Sequence, residues 1–444
     1  MKRLLATVAL CACTSQPVVI GGIRLDLVTP ADLDPMVGAS ALRVRVLDPN
    51  GLEIASETGT ASGVTLPPIT TFGVVEIEVT ALSGARVIAA ALTGPIAIGP
   101  DDQHTLVALF LPVNEPVQLN WTPDADRVEH SAHLSPDGRV LLMGGREPGG
   151  VGRWESSEWW HISNGFDGTG PALPEPSYGA RVTPLADGGA LVAGGFRNSS
   201  ATDAAWVLSA DGSRFKKALA MSSVRSELCT TTHPTLGAMA IGVGPVDIYN
   251  TDGHVDSIND FRGDAVSTCQ VTADGYLITA GTTGWSAFDL RDATTPLRLM
   301  SHYTSISGVP NVQGAISATL PDGKVWVASG VTNAIPSTSA RIVNPADATT
   351  VRSADLTAPR LNAFAAPWRH GALVLAGGTR SLNGGGTHSV EIFDPLAGQK
   401  VQIDLDVDGS TFTLLPGGTL LSTGGLDADG APAGAVAIQP WIED

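Results

Sequence analysis

Along most of the chain, apolar positions come in short runs broken by turn residues, and from residue 117 onward that pattern repeats. In its clearest form a run at 313–320 meets Pro321-Asp322-Gly323, a second run at 324–328 follows, and Ser329-Gly330 ends the unit. The turn glycines are Gly138, Gly188, Gly237, Gly275, Gly323, Gly371 and Gly418, spaced by 50, 49, 38, 48, 48 and 47 residues. The closing pair is Gly144-Gly145, Gly194-Gly195, Gly377-Gly378 and Gly424-Gly425 in copies one, two, six and seven, whereas copy three has Gly242 and Gly244 and copy four Gly281. An Asp-Gly turn between two apolar runs predicts a hairpin, because glycine takes the positive φ that a tight turn needs. Later runs such as Ser389-Val390-Glu391-Ile392-Phe393, ended by Asp394-Pro395, predict a third strand, and a fourth is shorter and harder to place. Copies of four antiparallel strands at about 45 residues make propeller blades, so an all-β fold with a seven-bladed β-propeller is expected over residues 114–444. The last copy stops one strand short at Ala435-Val436-Ala437-Ile438. Pro116-Val117-Gln118-Leu119-Asn120-Trp121 is expected to complete it from the other end of the chain, leaving no exposed edge strand.

Residues 23–113 follow a different rhythm, with strand-like runs at 23–27, 41–48, 74–82, 85–91 and 104–111. Arg43, Arg45, Glu76 and Glu78 alternate with Leu42, Val44, Val75 and Ile77, a period of two that predicts one buried face and one wet face. These five runs, with two weaker ones, suggest an N-terminal β-sandwich of immunoglobulin-like size. The segment has no cysteine or tryptophan and a single histidine, His104, so it is expected to be a spacer or docking module. Residues 112–116 are expected to be the linker.

Composition agrees with strands and turns: 51 Gly and 30 Pro interrupt a chain of 43% hydrophobic residues. The balance of 26 basic against 44 acidic side chains, a formal charge of −18, makes nucleic acid a poor partner because its phosphates would be repelled.

The first residues run Met1-Lys2-Arg3, then a short apolar stretch, then Cys13-Thr14-Ser15-Gln16. A basic start and an apolar run too short to span a bilayer predict an export signal over residues 1–12, with 13–22 as a tether. Leu10-Cys11-Ala12-Cys13 resembles the lipobox of bacterial lipoproteins, which implies acylation at Cys13, with Cys11 the other candidate and a plain secretory signal the alternative. By the same resemblance Thr14, standing where inner-membrane lipoproteins often carry Asp, implies an outer-membrane anchor and no other contact with the membrane.

Ala318-Thr319-Leu320-Pro321-Asp322-Gly323-Lys324-Val325, and Val374-Leu375-Ala376-Gly377-Gly378 followed by Val390-Glu391-Ile392-Phe393-Asp394-Pro395, resemble bacterial kelch repeats of the type found in the galactose oxidase central domain. The resemblance covers about residues 120–440. It departs from the family pattern in copies three to five and in lacking the usual Trp at a fixed distance after a Tyr. Oxidase chemistry of that kind implies copper held by paired Tyr and His with a Tyr–Cys cross-link. Tyr178, Tyr249, Tyr276 and Tyr303 do not map onto those ligands, and no cofactor or metal is expected.

Other candidates are weighed residue by residue. His130 and His133, three apart on a strand, point to opposite faces and make a poor metal pair. Asn383-Gly384-Gly385-Gly386 looks like a flexible loop, and Asp427-Ala428-Asp429-Gly430 like a turn. Cys229 and Cys269 fall on the first strands of adjacent copies and in an oxidising compartment, so they form a disulfide or remain buried thiols. Arg127, Arg225, Arg262 and Arg360 lie in segments entering first strands, while Arg146, Arg197 and Arg380 follow the closing glycines. These seven arginines either ring one face as an anion site or pair with acids and hold the ring together. Trp154, Trp159, Trp160 and His161 are the densest aromatic cluster, expected either to contact sugars or a protein partner or to pack between blades.

The expected whole is a monomeric, surface-anchored lipoprotein whose non-catalytic propeller binds a protein or glycan. The alternative is an exported carbohydrate-active enzyme, of the sugar oxidase or mutarotase type, with its site at the channel mouth.

Overall fold

The computed structural model describes residues 2–3, 23–64, 73–99, 104–119, 125–150, 152–263, 266–281, 284–291, 298–303, 313–332, 335–382 and 384–443. Cys11 and Cys13 lie outside the described residues.

The fold is all-β, and its one helical element among the described residues is the short turn Arg369–Gly371. Each of the seven sequence copies forms a four-stranded antiparallel sheet. In the first, Ser131–Leu134, Val140–Met143, Ser157–His161 and Gly165–Thr169 pair in that order. The first strands of the next five sheets are Arg181–Pro184, Leu228–His233, Val266–Val271, Ile316–Thr319 and Phe364–Pro367. Each of these touches the first strand of the copy before it. In the seventh sheet Thr411–Leu414, Leu420–Thr423 and Ala435–Ile438 are joined on the outside by Pro116–Leu119, with Pro116 opposite Ile438. Thr411–Leu414 also touches Ser131–Leu134 of the first sheet.

The second strands, such as Val140–Met143 and Leu373–Ala376, are buried along their whole length. Both of their faces meet neighbouring sheets, which is why they read as unbroken apolar runs. The closing glycines explain how the sheets approach one another. Gly144 and Gly145 both have positive φ, and the amide of Gly145 donates to the carbonyl of Ser177 in the next copy at 2.9 Å. Gly195 donates likewise to Arg225 at 3.1 Å and Gly425 to Arg127 at 2.9 Å. A Cβ on Gly144 would stand 2.5 Å from the Ser177 oxygen, so the contact excludes any side chain. The run 384–386, expected as a loop, is a strand paired with Thr379–Ser381. Asp427 caps a turn, accepting from the amides of Asp429 and Ala431.

In the N-terminal segment two sheets enclose a core that includes Leu25, Val44, Ile77 and Phe110. One sheet pairs Ile23–Thr29 with His104–Leu109 in parallel, and the other runs Glu53–Thr60, Ala41–Leu47, Gly73–Ser83, Arg86–Leu92 and Leu111–Pro112. The alternating polar face is not uniformly wet. Glu78 is 1% exposed, held by Arg45 at 2.7 and 3.0 Å and by Arg369 of the sixth copy at 2.7 Å. Burial alone would push the Glu78 carboxyl up, but hydrogen bonds from the two guanidinium groups hold it below the usual carboxylate range. The expected linker is likewise part of the packed structure. Asn114 donates to the carbonyl of Trp441 and accepts from its amide, both at 2.8 Å, and Val28, Leu111, Leu119, Trp160 and Ala437 share one core.

Candidate functional site

The structure separates the expected contact residues into two groups. Trp160 is fully buried, Trp159 is buried with the Arg139 guanidinium 4.4 Å above its ring, and the two pair with Val140 and Leu141 inside the first sheet. They are packing residues, because a strand covered on both faces leaves them no ligand-accessible surface. Trp154 is half-buried and donates to the Asp126 carbonyl at 3.2 Å, and His161 Nδ1 meets the Ser163 hydroxyl at 2.6 Å.

The arginines do not form one ring. Arg127, Arg225 and Arg360 are at most 2% exposed and pair with Glu158, Asp247 and Glu391 at 3.1, 2.8 and 3.4 Å. Each acid sits on the third strand of the arginine's own sheet, and each arginine also donates to backbone carbonyls, such as Gly144 and Ser156 for Arg127. Where the arginine is replaced, so is the acid. The register puts Ser177 and Trp206 at these places in copy two, and Val407 and Val436 in copy seven. A charge buried alone would cost several kcal/mol, so the two positions change together. Arg146 pairs with Glu129 at 2.7 Å and Arg197 with Glu175 at 2.8 Å on the exposed side, and Arg380 is exposed in the hairpin strand Thr379–Ser381. Arg262 lies at the end of strand Gly253–Gly263, and its side chain is outside the described ones.

At the end of the first strands where the closing glycines lie, one turn recurs. Glu129, Gly179, Gly314, Asn362 and Gly409 all take positive φ, at 54°, 66°, 73°, 55° and 68°. In four of them the amide reaches a neighbouring copy: Glu129 donates to the carbonyl of Gly409, Gly179 to that of Glu129, Asn362 to that of Gly314, and Gly314 to the hydroxyl of Ser267. Two residues further in, side chains make the same bridge. The hydroxyls of Thr411 and Ser131 donate to the carbonyls of His130 and Ala180 at 2.7 and 2.8 Å, and Arg181 Nε donates to that of Leu228 at 3.3 Å.

These strand ends line a cavity of about 580 Å³, within the range of small-molecule sites. Its walls include His130, Ser131, Arg181, Asn362, Phe364, Ser410, Thr411 and Phe412. Phe364 and Phe412 lean together with ring centres 6.2 Å apart. Burial, and then the charge of Arg127, push His130 down to about 3, so its imidazole is neutral; Nε2 meets the Thr423 hydroxyl at 3.1 Å. His133 instead points to the Gly188 carbonyl at 3.2 Å, so the two histidines diverge. Outside the cavity, three residues before Arg181, the half-buried Tyr178 stacks on Phe196 at 5.2 Å, with the guanidinium groups of Arg153 and Arg146 at 5.3 and 5.8 Å from its ring. Arg181, the aromatic pair in the cavity and this outer platform were not singled out from sequence. The signal for Arg181 is its place two residues after the positive-φ glycine of its copy.

Cys229 and Cys269 are joined in a disulfide with Cα atoms 5.8 Å apart, linking the first strands of copies three and four. Those thiols are therefore not available for a Tyr–Cys cross-link. Tyr249 is buried and donates to the Leu219 carbonyl at 3.3 Å, Tyr276 lies under the Arg291 guanidinium, and Tyr178 is stacked outside the cavity. The side chain of Tyr303 lies outside the described ones. Among the described residues no three His, Cys, Asp or Glu side chains are grouped to hold a metal ion. The donors of a Tyr- and His-held copper do not fit these positions.

No protein-family model matches the chain, and no curated protein matches it. Among solved structures it is similar to a novel fungal alcohol oxidase of the AA5 family with catalytic diversity, in complex with copper. The TM-score is 0.55 at 15% identity, over 73% of this chain and 75% of that one, a likeness of fold.

Proposed function

We propose that the chain is an exported protein, tethered through a lipid on Cys13, whose seven sheets close into a kelch-like propeller that binds a glycan without catalysing a reaction. Pairing of Pro116–Leu119 with Ala435–Ile438, the Gly425 to Arg127 hydrogen bond, and contact between the first strands of copies seven and one support the closed ring. On this reading residues 23–113 are a stalk, and the contacts of Glu78 with Arg369 and of Asn114 with Trp441 hold it firmly against the ring.

The observation that carries the binding reading is the open, hydroxyl- and amide-lined cavity beside the Tyr178–Phe196 stack. Aromatic faces next to polar donors suit a ligand with both C–H faces and hydroxyl groups. The AA5 likeness favours the rival reading, an exported carbohydrate-active enzyme, and that reading uses the same cavity. A glycan array with the mature protein tests the proposal. Binding should fall in Tyr178→Ala while the melting temperature holds, and Trp160→Ala should instead lose folding. Absence of any glycan signal, with capture of a protein partner in its place, would sink the glycan reading.

A further inference from the structure

We infer that the cavity selects acidic sugars, with Arg181 as the fork that holds a uronate carboxylate. This rests on the glycan-binding reading and names its ligand class. The protein carries 44 acidic side chains, yet none lies among the described residues that line the cavity. Arg181 is the one arginine or lysine on those walls. Its Nε is engaged by the Leu228 carbonyl, and no carboxylate pairs with it among the described residues. Arg181 is a solvent-exposed residue of the cavity wall, and the protein packed around its guanidinium pushes its pKa down.

Arg181 lacks the acid partner that five of the other arginines have. Arg127, Arg225 and Arg360 each face an acid of their own sheet, and Arg146 and Arg197 face surface acids. Arg181 occupies a bridging position filled in copies one and seven by Ser131 and Thr411, which make the same bond to the next copy with a neutral hydroxyl. The bridge therefore does not require a charge. What the guanidinium adds is a pair of Nη groups with the planar geometry that matches a carboxylate. Across the cavity Phe364 and Phe412 offer aromatic surface to a pyranose, Asn362 offers hydrogen bonds to its hydroxyls, and the Thr411 oxygen can accept one.

Calorimetric titration with trigalacturonic acid, and with the same trimer methyl-esterified, tests the inference on the full mature protein. The acid should bind at least ten-fold more tightly than the ester, and Arg181→Gln should remove that preference. Arg181→Lys should bind the acid with intermediate affinity, since it keeps the charge and loses the fork. Unchanged melting curves would show that both variants fold. If both trimers bind equally, or Arg181→Gln keeps the preference, the acidic-sugar inference is overturned while the glycan reading stands. If no neutral or acidic sugar binds, both fall.

Discussion

The backbone amide of Gly425 donates to the carbonyl of Arg127 at 2.9 Å, tying the seventh copy of the repeat to the first. The same bond joins copy one to copy two through Gly145 and Ser177, and copy two to copy three through Gly195 and Arg225. A contact that links successive copies thus also links the last to the first. Gly425 has φ of 82°, and a Cβ there would sit 2.6 Å from the Asp408 oxygen. Gly425→Val should destabilise the protein by about 1–3 kcal/mol, as expected for a strained non-glycine residue in the left-handed region. Removing residues 116–119 should further lower and broaden the melt. A deletion variant that melts as the intact chain does would contradict closure by that strand.

The buried arginine–acid pairs make a second prediction. Arg360→Val should destabilise the fold by about 3–5 kcal/mol, because the buried Glu391 would keep only the more distant Lys400, at 3.9 Å, and its hydrogen bonds from Thr357. The double variant Arg360→Val, Glu391→Val, which copies the valine pair at Val407 and Val436, should recover much of that loss. Chemical denaturation of Arg360→Val, Glu391→Val and the double variant gives the coupling. Additive losses would show that the pair does not act as a unit.

Much of the fold could be read from sequence because backbone geometry forced residue choice. Only glycine tolerates the approach of Gly144 to Ser177, so the closing pairs are legible in four copies, while the turn glycines give the repeat its period. The arginine–acid pairs were harder, since Glu158 and Glu391 lie on third strands far along the chain from Arg127 and Arg360. Their signal was one acid inside an otherwise apolar strand, as in Ser389–Phe393. Trp159 and Trp160 read in sequence as contact or packing residues because tryptophan serves both, and only their strand register separates the two. The polar face of residues 23–113 reads as wet in sequence for a different reason: Arg369, which covers Glu78, belongs to the sixth copy. Arg181 belongs to no motif, and its one signal is its place two residues after Gly179.

His130 supplies a pH dependence. Its pKa is pushed down to about 3 in the folded protein and lies near 6.5 in an unfolded chain. Between those values the unfolded state binds a proton that the folded state refuses. Stability is therefore full above about pH 6.5 and falls as pH drops, approaching about 1.4 kcal/mol per pH unit from this group. His133 and His233 are lowered by burial too and act in the same direction. Denaturation at pH 6 and pH 4 isolates His130 by comparing wild type with His130→Asn. The variant should lose about one proton's worth of slope, and an unaltered slope would be inconsistent with a buried neutral imidazole.

The most direct test of ligand recognition at the closing-glycine face is hydrogen–deuterium exchange with and without the best-binding glycan. Slowed exchange should cluster in the segments around Glu129, Tyr178 to Arg181, Asn362 and Ser410, the turns that surround the cavity and its outer platform. Slowed exchange confined to the Asp-Gly turns at the opposite strand ends, or to residues 23–113, would place recognition elsewhere and contradict the account.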